Sequence, residues 1–416
     1  MRVAEIIASV VGPDVPVRLL GYDGSKAGPD TAEVVVRIVS PRALARLATA
    51  PGSLGLARAY IEGEIEIEGD LHALLDAIVD LTRNGLSRAD QLRIARQVLP
   101  AWLRHRRPPP ALECRPPGLL HSRGRDRRAI AHHYDVSNTF YAWVLGPSMA
   151  YTCAVYTTEA LPPEDAQAEL EDAQEAKHEL VAGKLGLTSG MRLLDVGCGW
   201  GGMVMHAAAE HGVRALGATL SRNQAEWAQA EIVRRGLHGL AEVRHLDYRD
   251  APDERFDAIS SIGLTEHIGA ARLRSYFASL ASRLRPGGRL LNHCITQPHT
   301  PTARRLDPFV DRYVFPDGEL HPIGPLVTVM NDAGFEVRHD ENLREHYALT
   351  LAGWGANLDK HWDCAVAEVG LGRARVWRLY MAASRVAFER NNLQLHQVLG
   401  VRTDVRGNAG FPLRGW

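Results

Sequence analysis

The chain is short of several things, and each shortage removes a class of protein. Cysteine is scarce: Cys114, Cys153, Cys198, Cys294 and Cys364 are scattered along 416 residues and odd in number. That argues against a disulfide framework and for a reducing, cytoplasmic setting. No two of the five stand at zinc-site spacing, so no metal site is expected. An excess of one charge is also missing. Lys and Arg total 48 against 49 Asp and Glu, a net charge of −1. No global field draws the chain to nucleic acid, and any attraction to an anionic membrane must come from local patches. No apolar run is long enough to span a bilayer, and the start is unlike a signal peptide. Internal repeats and long low-complexity tracts are absent as well.

What is present fits a globular enzyme. Apolar residues make up 45% and charged residues 23%, ordinary for a soluble fold. The length exceeds one ordinary core, so two domains are expected. The strongest break is Arg104-His105-Arg106-Arg107-Pro108-Pro109-Pro110, continued by Cys114-Arg115-Pro116-Pro117-Gly118. Consecutive prolines neither continue a helix nor sit in a central strand. The reading is therefore an N-terminal domain over 1–103, a linker over 104–122 and a catalytic domain over 123–416. In the first, Val15–Leu20 and Ala32–Val39 read as strands, with helices over Pro41–Ala48 and Leu71–Thr82. This is a small α+β domain without a catalytic cluster.

After the linker, strands and helices alternate. Strands are expected over Met191–Val196, Arg214–Thr219, Ala241–Leu246, Phe256–Ser261 and Arg289–Ile295. Helices are expected from Gly201, over Asn223–Arg235 and over Ala271–Leu284. Such alternation predicts an α/β fold with a parallel, doubly wound, Rossmann-like sheet whose ligands sit at the carboxyl ends of the strands.

The stretch Leu193-Leu194-Asp195-Val196-Gly197-Cys198-Gly199-Trp200-Gly201-Gly202 is the most informative local motif. Gly197 and Gly199 allow a tight turn and a close backbone approach to a ligand. Asp195 is placed to reach a ligand ammonium or a neighbouring amide. The bland alternative is a strand–helix turn with no ligand. A P-loop is disfavoured because no Lys-Ser/Thr pair follows. The second strand ends in Ala218-Thr219-Leu220-Ser221 without the acidic residue of a dinucleotide fold. Thr219 and Gln224 are instead candidates for ribose hydroxyls, and Asp247 for an adenine amine; a solvated helix residue and an ordinary loop aspartate are the competing readings. Together these residues are candidates for a site that holds S-adenosyl-L-methionine (SAM).

From about His132 onward the chain resembles the cyclopropane-fatty-acyl-phospholipid synthase family. The resemblance rests on His133-Tyr134-Asp135-Val136-Ser137-Asn138, Met149-Ala150-Tyr151-Thr152-Cys153-Ala154, the glycine motif, Glu266-His267-Ile268-Gly269, Asn292-His293-Cys294-Ile295 and Tyr313-Val314-Phe315-Pro316-Asp317-Gly318. It implies a class I SAM-dependent methyltransferase fold. It also implies a bicarbonate ion held by Cys153, Glu266, His293, the backbone of Ile295 and Tyr347, and SAM contacts at Tyr151, Thr152, Gly197, Gly199, Thr219, Leu220 and Gln224, with Tyr134 closing over the methionine moiety. Taken singly, these residues have plainer readings: Cys153 as core packing, His293 as a core histidine, Tyr347 as helix packing and Glu266 as a cap. Gly52–Tyr60 resembles the accessory domain of bacterial phospholipid-acting members, which mycolic-acid members lack. The implied substrate is therefore a phospholipid with an unsaturated acyl chain. Two departures stand out: Phe315–Pro322 is more polar than the family form, and His396 replaces a usual aromatic residue. Both segments are expected at the acyl site or its lid.

An isolated alkene is a weak nucleophile and the sulfonium methyl a strong electrophile, so orientation in a dry pocket supplies much of the catalysis. The resulting carbocation needs negative charge nearby, aromatic faces and a base, for which bicarbonate suits neutral pH. Direct proton loss gives a cyclopropane. A prior hydride shift gives a methylene branch, the precursor of tuberculostearic acid. Both products stay open. Peripheral, reversible attachment to the inner membrane surface is expected through Ile268–Leu273, Arg304-Arg305, Arg312 and the basic linker, with a solvated linker as the alternative for the last. A homodimer is expected by analogy only. The rival readings are a SAM-dependent N-methyltransferase of a small amine and a non-catalytic lipid-binding protein.

Overall fold

The computed structural model describes residues 2–11, 16–50, 52–83, 104–105, 108–134, 136–299 and 306–413. They divide into two compact units: Met1–Arg115 with Asp307–Val314 and Trp362–Val386, and Pro116–Leu306 with Phe315–His361 and Ala387–Trp416.

The first unit carries β1 (Val17–Leu20), β2 (Lys26–Ala27), β3 (Val34–Ile38) and β4 (Ile65–Glu68), in the order β2-β1-β3-β4. Period-two alternation turns Val34, Val36 and Ile38 inward. Ser40 accepts the Arg42 amide and Pro41 takes the first helical position, starting the helix Pro41–Thr49.

The division differs from the linear one expected. Residues 108–115 are packed into the first unit rather than free: the Pro108 carbonyl accepts Arg46 Nη1 at 2.6 Å, and the buried Glu113 carboxylate takes Arg58 at 2.5 and 3.0 Å. Two later segments join them. Tyr313 donates its hydroxyl to Glu113 at 3.3 Å, and Arg375 binds both oxygens of Glu66 at 2.7 Å.

The second unit is built on β5 (Arg192–Val196), β6 (Arg214–Thr219), β7 (Ala241–His245), β8 (Phe256–Ile262), β9 (Leu284–Gln297), β10 (His321–Pro322), β11 (Phe335–Asn342) and β12 (Gln394–Arg402). The order is β11-β12-β9-β8-β5-β6-β7, with β10 beside β9. Strands β5 to β9 are parallel, as the alternation predicts. The wholly parallel sheet needs correction at one side: β12 runs antiparallel to both β9 and β11. It is the last strand and returns between two strands already laid down, so its direction is set by the sheet and not by a helical crossover. Chain order reverses between β5 and β8, which opens a crevice at their carboxyl ends.

Candidate active site

The β5 strand ends among core residues, with Leu193, Leu194 and Val196 fully buried. Gly197 and Gly199 then adopt φ of +76° and +54°, the region that glycine enters without strain. The turn leads into the helix Gly202–His211 and leaves a cavity at the switch point. Tyr151, Thr152, Asp195, Gly197, Gly199, Thr219, Leu220 and Gln224 all line it. Asp195 accepts Ser260 Oγ at 2.7 Å, and burial pushes its pKa up to about 6. Thr219 donates its hydroxyl to Gln224 Oε1 at 2.7 Å, so the two are fixed as a pair.

Two expected contacts stand differently. Both carboxylate oxygens of Asp247 are engaged by Arg249, at 2.8 and 2.6 Å, and Asp247 also caps the short helix Tyr248–Asp250. Its neighbours Leu246 and Tyr248 line the cavity instead. Tyr134 ends the helix Arg123–Tyr134, but its side chain is outside the described residues.

A second cluster is built on β9. His293 and Ile295 are two residues apart and share a face. The Ile295 amide donates to Glu266 Oε1 at 2.7 Å; Glu266 Oε2 is buried and has no partner among the described residues. Burial pushes the Glu266 pKa up to about 7. Ile295 pairs with Leu395 on β12, whose carbonyl accepts the Leu343 amide at 2.8 Å. The Leu343 carbonyl accepts the Cys153 thiol at 3.7 Å and the Tyr347 amide at 3.1 Å. Burial holds the Cys153 thiol protonated. The Tyr347 ring packs on Phe388, with centroids 4.5 Å apart, and meets the edge of Trp354. Hydrogen bonds running through Ile295, Leu395 and Leu343 thus connect Glu266, Cys153 and Tyr347, and His293 precedes Ile295 by two residues on β9.

The proton on His293 is placed by its neighbours. Lys184 has only protons to give and donates to Gln397 Oε1 at 2.7 Å, which turns the Gln397 amide nitrogen toward His293 Nδ1 at 3.2 Å. His293 Nδ1 is therefore an acceptor and Nε2 carries the hydrogen. Burial holds the ring neutral. Nε2 is buried and unpartnered among the described residues, like Glu266 Oε2.

Several expectations fall outside this site. In the Ile268–Leu273 segment, Ile268 and Leu273 are core residues, 4% exposed each, while Ala270 and Ala271 are exposed and Arg272 is half-buried. Arg106, Arg107, Arg304 and Arg305 lie outside the described residues. His396 is on β12 and bonds Asp340 at 2.8 Å. Among the lining residues that sequence reading did not assign to the site are two polar ones, Lys177 and His178. Both sit on the helix Leu170–Leu185, where a charged residue reads as solvated.

The model of the mycolic acid cyclopropane synthetase family matches residues 121–398. A probable fatty acid methyltransferase of Mycobacterium tuberculosis is 52% identical over 96% of this chain and 94% of its own. A tuberculostearic acid methyltransferase of the same organism is 31% identical over 92% and 87%. The cyclopropane-fatty-acyl-phospholipid synthase of Escherichia coli is 33% identical over 66% and 68%. Among solved structures, a mycolic acid cyclopropane synthase complexed with SAH and CTAB superposes with a TM-score of 0.60 at 30% identity, over 66% of this chain and 97% of that one. Fold, glycine loop and relatives define a SAM-dependent methyltransferase. The chain belongs to the mycolic acid cyclopropane synthetase family.

Proposed function

We propose that the protein transfers a one-carbon unit from SAM to the double bond of an unsaturated acyl chain in a phospholipid, with bicarbonate held as the base. The observation that carries this reading is the pair of orphaned polar atoms, Glu266 Oε2 and His293 Nε2. Each unpaired group costs roughly 1–3 kcal/mol when buried. A small ligand with both a hydroxyl and an anionic oxygen relieves both: Glu266 accepts and His293 donates. Bicarbonate has that donor and acceptor set.

When bound, SAM supplies the electrophilic methyl and bicarbonate takes up the proton lost from the alkylated chain. The protein's own residues orient and shelter. Glu266 places negative charge beside the developing cation. Tyr151, Trp354, Tyr347 and Phe388, each ring touching the next in that order, provide aromatic faces and keep water out. Cys153, held protonated with backbone carbonyls of Ala154 and Leu343 in reach of its hydrogen, is not a nucleophile. A phospholipid is favoured over a carrier-bound chain by the Gly52–Tyr60 stretch and by similarity to the Escherichia coli enzyme. Among the described residues no helix is long and apolar enough to cross a membrane, and attachment to the inner membrane surface is proposed as peripheral.

The test is mass spectrometry of acyl chains from cells expressing the protein. A gain of one CH₂ is expected; a retained olefin on derivatisation marks the methylene product, and its loss marks the cyclopropane. With tritiated SAM, label appearing only in a panel of small amines and never in unsaturated phospholipid vesicles overturns the reading.

A further inference from the structure

Lys177 is 1% exposed, yet it lines the cavity at the glycine loop. Its ammonium has three protons and accepts nothing. One goes to Thr152 Oγ1 at 3.0 Å and one to His178 Nε2 at 3.0 Å. His178 is held neutral by burial and by the Lys177 charge, so its Nε2 is free to accept. Among the described residues no carboxylate forms an ion pair with Lys177; Asp195 acts on it only at longer range. A buried cation without a counter-ion is expensive, and burial has already drawn this pKa down to about 8.

We infer that Lys177 is the counter-ion for the α-carboxylate of the cofactor's methionine moiety, received by the third ammonium proton. The inference rests on SAM dependence and not on the identity of the acyl substrate. Charge chemistry sorts the cavity accordingly: Asp195 is its buried anion, suited to the ligand's ammonium, and Lys177 its buried cation, suited to the carboxylate. Thr152 and His178 hold the amine in place. Gln174 in turn fixes the Ala150 and Thr152 carbonyls at 3.3 and 2.9 Å, tying the Met149–Cys153 segment to the same helix.

The experiment compares SAH with its decarboxylated analogue by calorimetry on the full chain. Lys177→Met is expected to weaken SAH binding by about 10- to 100-fold, the range for a hydrogen bond to a charged group, and to leave the decarboxylated analogue within about twofold. Unchanged SAH affinity, or equal losses for both ligands, overturns the assignment. Removing an unpaired buried ammonium leaves the ligand-free fold as stable or more so, which a thermal scan checks. Lys177→Gln, which keeps a donor, repeats the comparison with a smaller loss.

A different observation carries a second site. His206 Nε2 and His211 Nε2 lie 3.2 and 3.0 Å from the same oxygen of Glu179, and the three groups' ligand atoms all fall within 4.8 Å of one another. Tetrahedral zinc with bonds of about 2.0–2.1 Å separates its ligands by roughly 3.3 Å. We propose that Glu179, His206 and His211 bind one zinc ion, joining the helices Leu170–Leu185 and Gly202–His211. Titration of the full chain with Zn²⁺ against a chromophoric chelator is expected to show one tight equivalent that is lost in the His206→Gln/His211→Gln double variant. The same stoichiometry and affinity in that variant overturns the site.

Discussion

Gln397 decides which nitrogen of His293 carries the proton. Its amide nitrogen faces His293 Nδ1 at 3.2 Å because its oxygen is claimed by Lys184 at 2.7 Å. Replacing Gln397 with Glu presents an acceptor to Nδ1, moves the proton to that nitrogen and leaves Nε2 without a donor. On the proposed function, Gln397→Glu lowers kcat by about 100- to 1000-fold, as the loss of one charge-stabilising donor does elsewhere. It also raises the bicarbonate concentration needed for half-maximal rate. SAM affinity is expected to stay within about twofold. Rates measured in CO₂-depleted buffer with added bicarbonate check this; a lower kcat with an unchanged bicarbonate requirement counts against the arrangement.

Glu266 links function to stability with a definite sign. Its carboxyl titrates near 7 in the fold, against an ordinary 4.5, because its oxygens are enclosed. Between those pH values the folded protein retains a proton that the unfolded chain has lost. Stability therefore falls as pH rises through that window, by roughly 3 kcal/mol for this group. Glu266→Gln keeps the oxygen that accepts the Ile295 amide and removes the titration. The variant should match the wild type near pH 4.5 and exceed it by about that amount at pH 8, while turnover drops more than about 100-fold and SAM binding persists. Denaturant unfolding at the two pH values, with calorimetry for SAM, measures both halves.

The sequence showed the cofactor half of this site well, because that half is local. Strand, glycine turn, helix and the Thr219–Gln224 pair lie within short stretches whose residue types have few other uses. The second half was legible only through family resemblance. Cys153, Glu266, His293 and Tyr347 lie far apart in the chain, and the connection between them runs through β12, which slots between β9 and β11. β11 alternates charged residues on an exposed face and β12 buries Gln and His, so neither reads as an ordinary core strand. Lys177 was hidden for a related reason: a helical lysine signals solvent, and only the packed structure shows this one enclosed. Asp247 erred the other way. Its position after β7 suits a ligand, but Arg249 two residues on claims the carboxylate first.

The two loop glycines make different demands. A Cβ on Gly197 sits 3.0 Å from Leu264 Cβ at a φ of +76°, whereas one on Gly199 meets nothing within 4 Å at +54°. Gly199→Ala pays only for its backbone, about 1–2 kcal/mol. Gly197→Ala adds a clash against the cavity wall. SAM affinity is expected to fall further in Gly197→Ala than in Gly199→Ala, by at least about tenfold. Equal losses in a side-by-side titration mean that the Leu264 contact yields without cost.

The first unit offers a test of buried charge that does not involve the cofactor. Arg58 and Glu113 are paired at 2.5 and 3.0 Å, their side chains 9% and 3% exposed, and Tyr313 donates to the same carboxylate. Removing one partner leaves a desolvated guanidinium with no carboxylate, which costs about 3–5 kcal/mol; replacing both by apolar groups of similar volume is often neutral. Glu113→Gln keeps an acceptor oxygen and falls at the lower end, about 3 kcal/mol. Glu113→Leu reaches the upper end, and Arg58→Met/Glu113→Leu recovers most of the loss, short of the hydrogen bond stranded on Tyr313. SAH binding by the folded fraction should be unchanged throughout, since none of the three residues lines the cofactor cavity. A double variant as unstable as Glu113→Leu alone means that the pair holds the fold by its geometry and not merely by cancelling its own burial.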